Sequence, residues 1–388
     1  MYNIVKLNSI SPKIADIFSS DFCVSENHPD PDGILVRSFA MANYPITPSL
    51  KAVARAGAGV NNIPIPRMSE NGIVVFNTPG ANANAVKELV LCGLFLAARD
   101  IIGGVTWASS FDQTAVDLPK TVEKQKQAYA GTEILGKTLG IVGIGAIGRK
   151  VANCSVALGM KVLAYDPNFS GRPNTELNES VKVSTMDELL KNSDYITFHV
   201  PLIPSTRGMI NKAFLKKLKT GAVILNMSRA ELAIADDIKA ALASKTLKKY
   251  VVDFPTSELI KVEGVISIPH LGASTEEAED NCAVMAASQL KDFLENGNIV
   301  NSVNFPKLTI ARTFEHRLSV LYKKTSLDLR TEASALLATL PSVIIHCAEK
   351  DDLGYALIDY KSVLADATKK AIAKLLTMPG VIKVNMVY

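Results

Sequence analysis

Leu139-Gly140-Ile141-Val142-Gly143-Ile144-Gly145-Ala146-Ile147-Gly148 is the stretch on which the fold of this chain turns. An apolar strand runs into G-x-G-x-x-G, and a helical apolar pattern over 147–158 follows it. The next strand is Lys161-Val162-Leu163-Ala164-Tyr165, closed by Asp166, 18 residues beyond Gly148. In that setting each glycine has a separate task. Gly143 permits a tight turn, Gly145 lets backbone approach a pyrophosphate, and Gly148 packs helix against sheet. The pyrophosphate is expected at the helix N-terminus, where free N–H groups and the dipole favour anions. Asp166 would accept from both ribose hydroxyls and repel a 2′-phosphate, so the predicted cofactor is NAD rather than NADP. Arg149 follows the third glycine on the helix, away from the ribose position, and leaves that prediction unchanged.

The alternation continues beyond this unit, with strands predicted at 194–199, 222–227, 250–253 and 265–268 and helices at 186–191 and 236–243. The pattern is α/β, and residues 96–283 form a doubly wound, Rossmann-type NAD-binding domain. Residues 1–95 read as a smaller, flavodoxin-like substrate-binding unit with strands at 34–36 and 74–76. A helix over 275–294, spanning about 30 Å at 1.5 Å per residue, can return the chain to it. The substrate domain is therefore expected to be discontinuous, 1–95 with 284–308. Past Pro306 come a strand at 317–321, a helix at 328–340, strands at 343–345 and 355–358, a helix at 364–376 and a strand at 381–387. That βαββαβ order makes 312–388 a ferredoxin-like module.

Composition narrows the partners. The chain has 388 residues, 48% of them hydrophobic, with 42 Lys and Arg against 38 Asp and Glu. Two or three domains are expected, with no charge excess suited to nucleic acid. No apolar run is long enough to span a membrane, and Met1-Tyr2-Asn3-Ile4-Val5-Lys6 lacks a basic segment followed by an apolar one. Five cysteines with no C-x-x-C pair point to thiols in a reducing cytoplasm, and no metal is expected. The partner is a small-molecule substrate, with neither nucleic acid nor membrane.

A nicotinamide enzyme acting on an alcohol needs a base beside the hydroxyl and a cation for the neighbouring anion. The chain has five histidines: His28, His199, His270, His316 and His346. His28 lies in a polar N-terminal loop, and His316 and His346 belong to the C-terminal module. His199 and His270 end predicted strands, where open α/β sheets place ligands. His270 precedes a loop that feeds a helix, whereas His199, before Val200-Pro201, lines the cofactor. Arg229 also follows a strand end, where a guanidinium can hold a carboxylate and a developing oxyanion.

Three further segments carry a family resemblance over nearly the whole chain. They are Ala54-Arg55-Ala56-Gly57-Ala58-Gly59-Val60-Asn61-Asn62-Ile63, Asn226-Met227-Ser228-Arg229 and Pro269-His270-Leu271-Gly272-Ala273-Ser274-Thr275. In this order around the glycine loop they resemble the NAD-dependent D-2-hydroxyacid dehydrogenases, in particular the phosphoglycerate dehydrogenase branch. The resemblance implies oxidation of 3-phospho-D-glycerate to 3-phosphooxypyruvate (3-phosphohydroxypyruvate), the entry to L-serine biosynthesis. It makes His270 the acid/base, Arg229 the carboxylate and carbonyl ligand, and Glu258 the partner of His270. Because the loop from Asp253 to His270 is shorter than the family's, Glu263 is the alternative carboxylate. Asp253 matches the contact to the nicotinamide carboxamide. The cofactor set it implies comprises Gly143, Gly145, Ala146, Ile147, Gly148, Asp166, His199, Val200, Pro201, Thr206, Met227, Ser228, Arg229, Asp253, His270, Gly272 and Ala273. The substrate set is Arg37, Arg55, Ala58, Gly59 and Val60 with Arg229 and His270, Ala58 standing where a hydroxyl residue is common.

The segment 101–136 resembles the family's dimerisation arm, so a homodimer or homotetramer is expected. The C-terminal module resembles an ACT domain. It departs from the effector pattern in the turn Tyr322-Lys323-Lys324-Thr325-Ser326-Leu327 and around Leu340-Pro341-Ser342, which predicts weak or absent serine feedback. Two other functions remain: another D-2-hydroxyacid dehydrogenase, such as a glyoxylate or hydroxypyruvate reductase, and a nonenzymatic NAD-sensing corepressor. The presence of Arg229, His270 and Glu258 together disfavours the second.

Overall fold

Residues that are apolar in unbroken runs, such as Ile34-Leu35-Val36 and Val74-Val75-Phe76, lie in parallel strands buried on both faces. The computed structural model describes residues 1–112, 117–169, 176–324, 329–337, 342–361 and 365–387. The chain divides into two units, Met1–Asn82 with Glu276–Tyr388, and Ala83–Thr275.

In the first unit the strands are β1 (Tyr2–Leu7), β2 (Phe22–Ser25), β3 (Gly33–Val36), β4 (Ala52–Arg55) and β5 (Val74–Phe76). They form an all-parallel sheet in the order β2-β1-β3-β4-β5, the flavodoxin order. Helix Glu276–Asn296 covers one face, setting Ala283, Ala286, Leu290 and Phe293 against Ile4, Leu35, Ala54 and Phe76. Met41, Leu50, Ile63 and Met68 close the other. β1, β2 and β4 are not among the strands expected from the sequence. β4 runs into the segment 54–63 that carries the family resemblance, so Ala54 and Arg55 are strand residues.

The second unit holds β6 (Thr138–Val142), β7 (Lys161–Tyr165), β8 (Lys182–Val183), β9 (Tyr195–Phe198), β10 (Ala222–Asn226), β11 (Leu247–Val252) and β12 (Val265–Ser267). The sheet is parallel in the order β12-β11-β10-β9-β6-β7-β8, so strand order reverses between β6 and β9. This is the Rossmann arrangement extended by one strand. Helices Ala83–Ala98 and Ala146–Ala157 cover one face, and Met186–Asn192 and Ala235–Ala243 the other.

Both unit borders differ from those drawn from the sequence at 95/96 and 283/284. Helix Ala83–Ala98 joins the second unit because Val86, Val90 and Leu94 pack on Leu139, Ile141, Leu225 and Val251.

Residues set apart in the sequence as 312–388 form β13 (His316–Lys323), β14 (Ile344–Lys350), β15 (Leu353–Tyr360) and β16 (Val381–Val387), an antiparallel sheet in the order β14-β15-β13-β16. Helices Leu329–Leu336 and Ala365–Leu376 complete a βαββαβ order. Residues 328, 338–340 and 364 of those two expected helices, and residues 325–327 and 340–341 of the two segments that depart from the effector pattern, lie outside the described residues. One sheet face packs Leu318, Val320, Ala356 and Ile358 under the module's own helices. The other puts Leu321, Leu353, Tyr355 and Leu357 into the cluster that holds Phe293, Leu294 and Phe305. That shared core is why the module groups with the first unit. Among the described residues no single helix is long and apolar enough to cross a membrane.

Candidate active site

Where strand order reverses, the chain leaves β6 through the glycine loop, and the three glycines meet three different constraints. Gly143 has a left-handed φ of +97°, and a side chain there would run into the His199 carbonyl. A Cβ on Gly148 would collide with the Gly143 carbonyl, so the helix could not close onto the loop. Gly145 faces open space. It is also the N-cap of helix Ala146–Ala157 and offers no side-chain cap, which leaves the first N–H groups for an outside acceptor. Asp166 sits beside them: Oδ2 accepts from Ile144 N and Oδ1 from Asn168 N, both at 2.9 Å. Each carboxylate oxygen keeps a lone pair for a ribose hydroxyl. Arg149 pairs with Glu176 at 3.1 Å. These residues fit the pyrophosphate and ribose of a dinucleotide. Asp166→Ala is expected to weaken NADH affinity roughly tenfold or more and to raise the NADPH to NADH preference, since a charged acceptor worth about 1.5–3 kcal/mol is lost. Fluorescence titration with both dinucleotides checks it.

The two candidate histidines part company. His199 is half-buried behind the glycine loop, where Nε2 lies 3.1 Å from Thr197 Oγ1. Desolvation pushes its pKa down to about 3, so the ring is neutral at physiological pH. His270 is exposed on the loop after β12 and adopts a left-handed φ of +55°, which a non-glycine residue holds only when its surroundings impose it.

Asp253 imposes it. Its Oδ1 accepts from Leu271 N at 2.7 Å and Oδ2 from Gly272 N at 2.8 Å, clamping the turn just after His270. A Cβ on Gly272 would lie 2.8 Å from Asp253 Oδ2, so only glycine lets the loop come this close. Burial pushes the Asp253 carboxyl up, against those two N–H groups and the His270 charge.

Phe254 joins the remaining parts. Its ring centroid is 4.4 Å from that of His270 and 5.2 Å from Arg229 Cζ. Phe254 is absent from the residues expected from the sequence; the sole hint is its position directly after Asp253. Asn226 holds the Arg229 turn: Nδ2 donates to Arg229 O at 2.8 Å and Oδ1 accepts from Ser228 N at 3.1 Å. Ser228 Oγ donates to Phe198 O at 2.6 Å, and Arg229 Nη1 to Ser228 O at 2.6 Å. Met227 is buried. Thr206 Oγ1 donates to Pro201 O at 2.6 Å and accepts from Ile203 N at 2.9 Å, shaping the loop after His199 and Val200.

Arg229, Phe254, Asp253 and His270 thus come together, but Glu258 does not join them. Its exposed carboxylate accepts from Ser257 Oγ at 3.3 Å, and its own backbone N–H and neighbouring hydroxyls hold its pKa below the usual value. Glu263 is exposed. Among the described residues no group of three His, Cys, Asp or Glu is placed to hold a metal.

In the first unit, Arg37 and Arg55 stand at the carboxyl ends of neighbouring strands, and Arg55 Nε donates to Arg37 O at 3.1 Å. Arg37 Nη2 is paired with Glu279 Oε1 at 2.5 Å. Asn77 Nδ2 holds the Ala58 carbonyl at 2.7 Å, Thr78 N holds that of Gly57 at 3.1 Å, and Ile63 N holds that of Val60 at 3.0 Å. Gln289 Nε2 in turn holds Asn77 O at 3.0 Å. The carbonyls of the 57–60 loop are therefore anchored, with Gly59 between two of them.

The D-isomer specific 2-hydroxyacid dehydrogenase NAD binding domain family matches residues 106–272. The hydroxypyruvate reductase of Thermotoga maritima is 39% identical over 263 residues, covering 65% of this chain and 81% of that protein. The D-3-phosphoglycerate dehydrogenase of Synechocystis is 36% identical over 293 residues, covering 72% of this chain and 50% of that protein. The chain thus spans about half the length of this second relative. The crystal structure of NAD+-bound 3-phosphoglycerate dehydrogenase from Entamoeba histolytica is 28% identical with a TM-score of 0.60, covering 78% of this chain and 98% of that one.

Proposed function

The chain belongs to the D-isomer specific 2-hydroxyacid dehydrogenases, a family of NAD-dependent oxidoreductases, and we propose that its substrate pair is 3-phospho-D-glycerate and 3-phosphohydroxypyruvate. Bound NAD supplies the acceptor, and in reverse the donor, of the C2 hydride. In this reading the His270 imidazole takes the hydroxyl proton, and returns it in the reverse direction. The Arg229 guanidinium holds the carboxylate and the C2 oxygen, and the Phe254 ring keeps it and the imidazole at a fixed spacing. Glu258 is assigned to the far nitrogen of His270, an assignment that requires its side chain to turn away from Ser257.

The observation that carries the phosphorylated substrate is the pair Arg37 and Arg55 on adjacent strand ends, two guanidinium groups suited to a phosphate. The second reading is a hydroxypyruvate or glyoxylate reductase. Two facts favour it: Glu279 already neutralises Arg37, and the Thermotoga relative is named a hydroxypyruvate reductase. NADH oxidation with phosphohydroxypyruvate, hydroxypyruvate, glyoxylate and pyruvate in parallel tests both. The first reading expects the phosphorylated acid to lead in kcat/KM. If it shows no advantage, the second takes its place, and if folded, NADH-binding protein turns over none of them, both are lost.

The same reading places the chain in the cytoplasm, at the entry to serine synthesis, as a homodimer or homotetramer. Helix Ile101–Ala108 supports the oligomer, since it buries no residue and exposes Ile101, Ile102 and Val105. The C-terminal module is read as an ACT-like fold serving packing rather than serine feedback. Its support is the antiparallel sheet with one face in the first unit's core.

A further inference from the structure

The Tyr250 hydroxyl is a buried ionisable group to which none of the chemistry above gives a task. Tyr250 lies fully buried in β11, paired with Ile224 of β10. Its Oη accepts a hydrogen bond from Asn226 Nδ2 at 3.0 Å. The same nitrogen donates its second hydrogen to Arg229 O at 2.8 Å, while Asn226 Oδ1 takes Ser228 N–H at 3.1 Å. Both amide hydrogens and the amide oxygen are therefore engaged, and flipping the amide would set its oxygen against the Arg229 carbonyl. Asn226 is itself fully buried, so no solvent can replace the tyrosine as acceptor. Burial raises the Tyr250 pKa to about 12, which keeps the hydroxyl protonated at any working pH.

What this network holds is the start of Arg229. The residue leaves β10 in an extended conformation, φ −152° and ψ 145°, with Nη1 turned back onto Ser228 O. Without the tyrosine oxygen, one Asn226 hydrogen is unpaired in the core, and the 226–229 turn can relieve that only by moving. We propose that Tyr250 is a positioning residue that acts through the Asn226 amide to hold the Arg229 guanidinium in place for the carboxylate of the 2-oxo acid. This rests on the reading that Arg229 binds that carboxylate.

Tyr250→Phe keeps the ring and removes the acceptor. With the full-length chain, NADH and hydroxypyruvate or phosphohydroxypyruvate, whichever is turned over faster, kcat/KM is expected to fall roughly tenfold. NADH affinity by fluorescence titration falls clearly less than kcat/KM, because Ser228 and Arg229 belong to both sites whereas the glycine loop and Asp166, which take the pyrophosphate and ribose, lie outside this network. In an Arg229→Lys background the same change costs less than about twofold more, since the group being positioned is gone. Asn226→Asp, which replaces the shared donor by an acceptor, shows the same split between catalysis and NADH binding. A folded Tyr250→Phe with unchanged kcat/KM overturns the proposal. So does an equal loss of NADH affinity, which marks general loosening of the sheet, or an undiminished loss in the Arg229→Lys background. If Arg229→Lys alone leaves kcat/KM intact, the assignment of Arg229 fails, and the proposal with it. That result is separable from the others because it does not involve Tyr250.

Discussion

His270→Asn is expected to lower kcat by roughly 10²- to 10⁴-fold, the range removed with a general acid/base, while NADH affinity and melting temperature stay near the parent's. Asparagine is the informative replacement. His270 holds φ +55°, and asparagine tolerates that region better than alanine, so the loop survives the loss of the imidazole. The Asp253 clamp on Leu271 and Gly272 also remains, since it acts on the backbone. His199 is the control. Its ring is neutral because burial pushes its pKa to about 3, so His199→Asn removes packing and a contact with Thr197 rather than a proton donor. If kcat proves more sensitive to His199 than to His270, the two assignments are reversed.

Arg317→Met is expected to cost roughly 3–5 kcal/mol of stability, because it strands a buried carboxylate. Arg317 and Asp359 are both buried, and the pair is bidentate: Nε to Oδ1 at 2.6 Å and Nη2 to Oδ2 at 2.8 Å. Arg317 Nη1 also donates to Asn296 O at 2.8 Å and Ile310 O at 3.0 Å, tying β13 to the end of helix Glu276–Asn296 and to the segment before the module. Replacing both partners, Arg317→Met with Asp359→Leu, removes the stranded charge and should cost clearly less than Arg317→Met alone.

The pH dependence follows from Asp359. Burial pulls its pKa up, but Arg317, the Thr313 N–H and the Arg312 charge outweigh that and hold it below the usual carboxylate value. A depressed carboxyl contributes its stability fully above the unfolded pKa near 3.9 and loses it as pH falls through the lower folded value. The stability gap between parent and Arg317→Met is therefore larger at pH 7 than at about pH 4, because the variant's stranded Asp359 carboxyl is protonated as pH falls and its charge penalty goes with it. Urea denaturation at both pH values measures it. A gap under about 1 kcal/mol at pH 7 would mean that the pair contributes no more than a surface ion pair.

Legibility of the site follows the range of the interactions. The glycine loop was open to reading because its constraints are local: a positive φ at Gly143 and the Gly148–Gly143 approach lie within one turn of chain. Asp166 follows from the same short unit. The pairing of Glu258 with His270 was implied by the family resemblance, with Glu263 as the alternative because the loop is shortened, and in the structure Glu258 bonds to its own neighbour. Phe254 and Tyr250 carry no motif; one is an aromatic between two loops and the other a hydroxyl inside a strand. The expected borders of the first unit missed helix Ala83–Ala98, because an apolar helix does not state which sheet it will cover.

By itself the sequence determined an α/β chain with a dinucleotide loop, a strand-end arginine and a strand-end histidine, since period, glycine and loop length act on neighbouring residues. Tertiary structure alone decided which carboxylate clamps the His270 loop, which ring lies between His270 and Arg229, and which sheet face the C-terminal module buries. Those contacts join residues from separate strand ends, brought together only when the sheets assemble, and no local pattern encodes them.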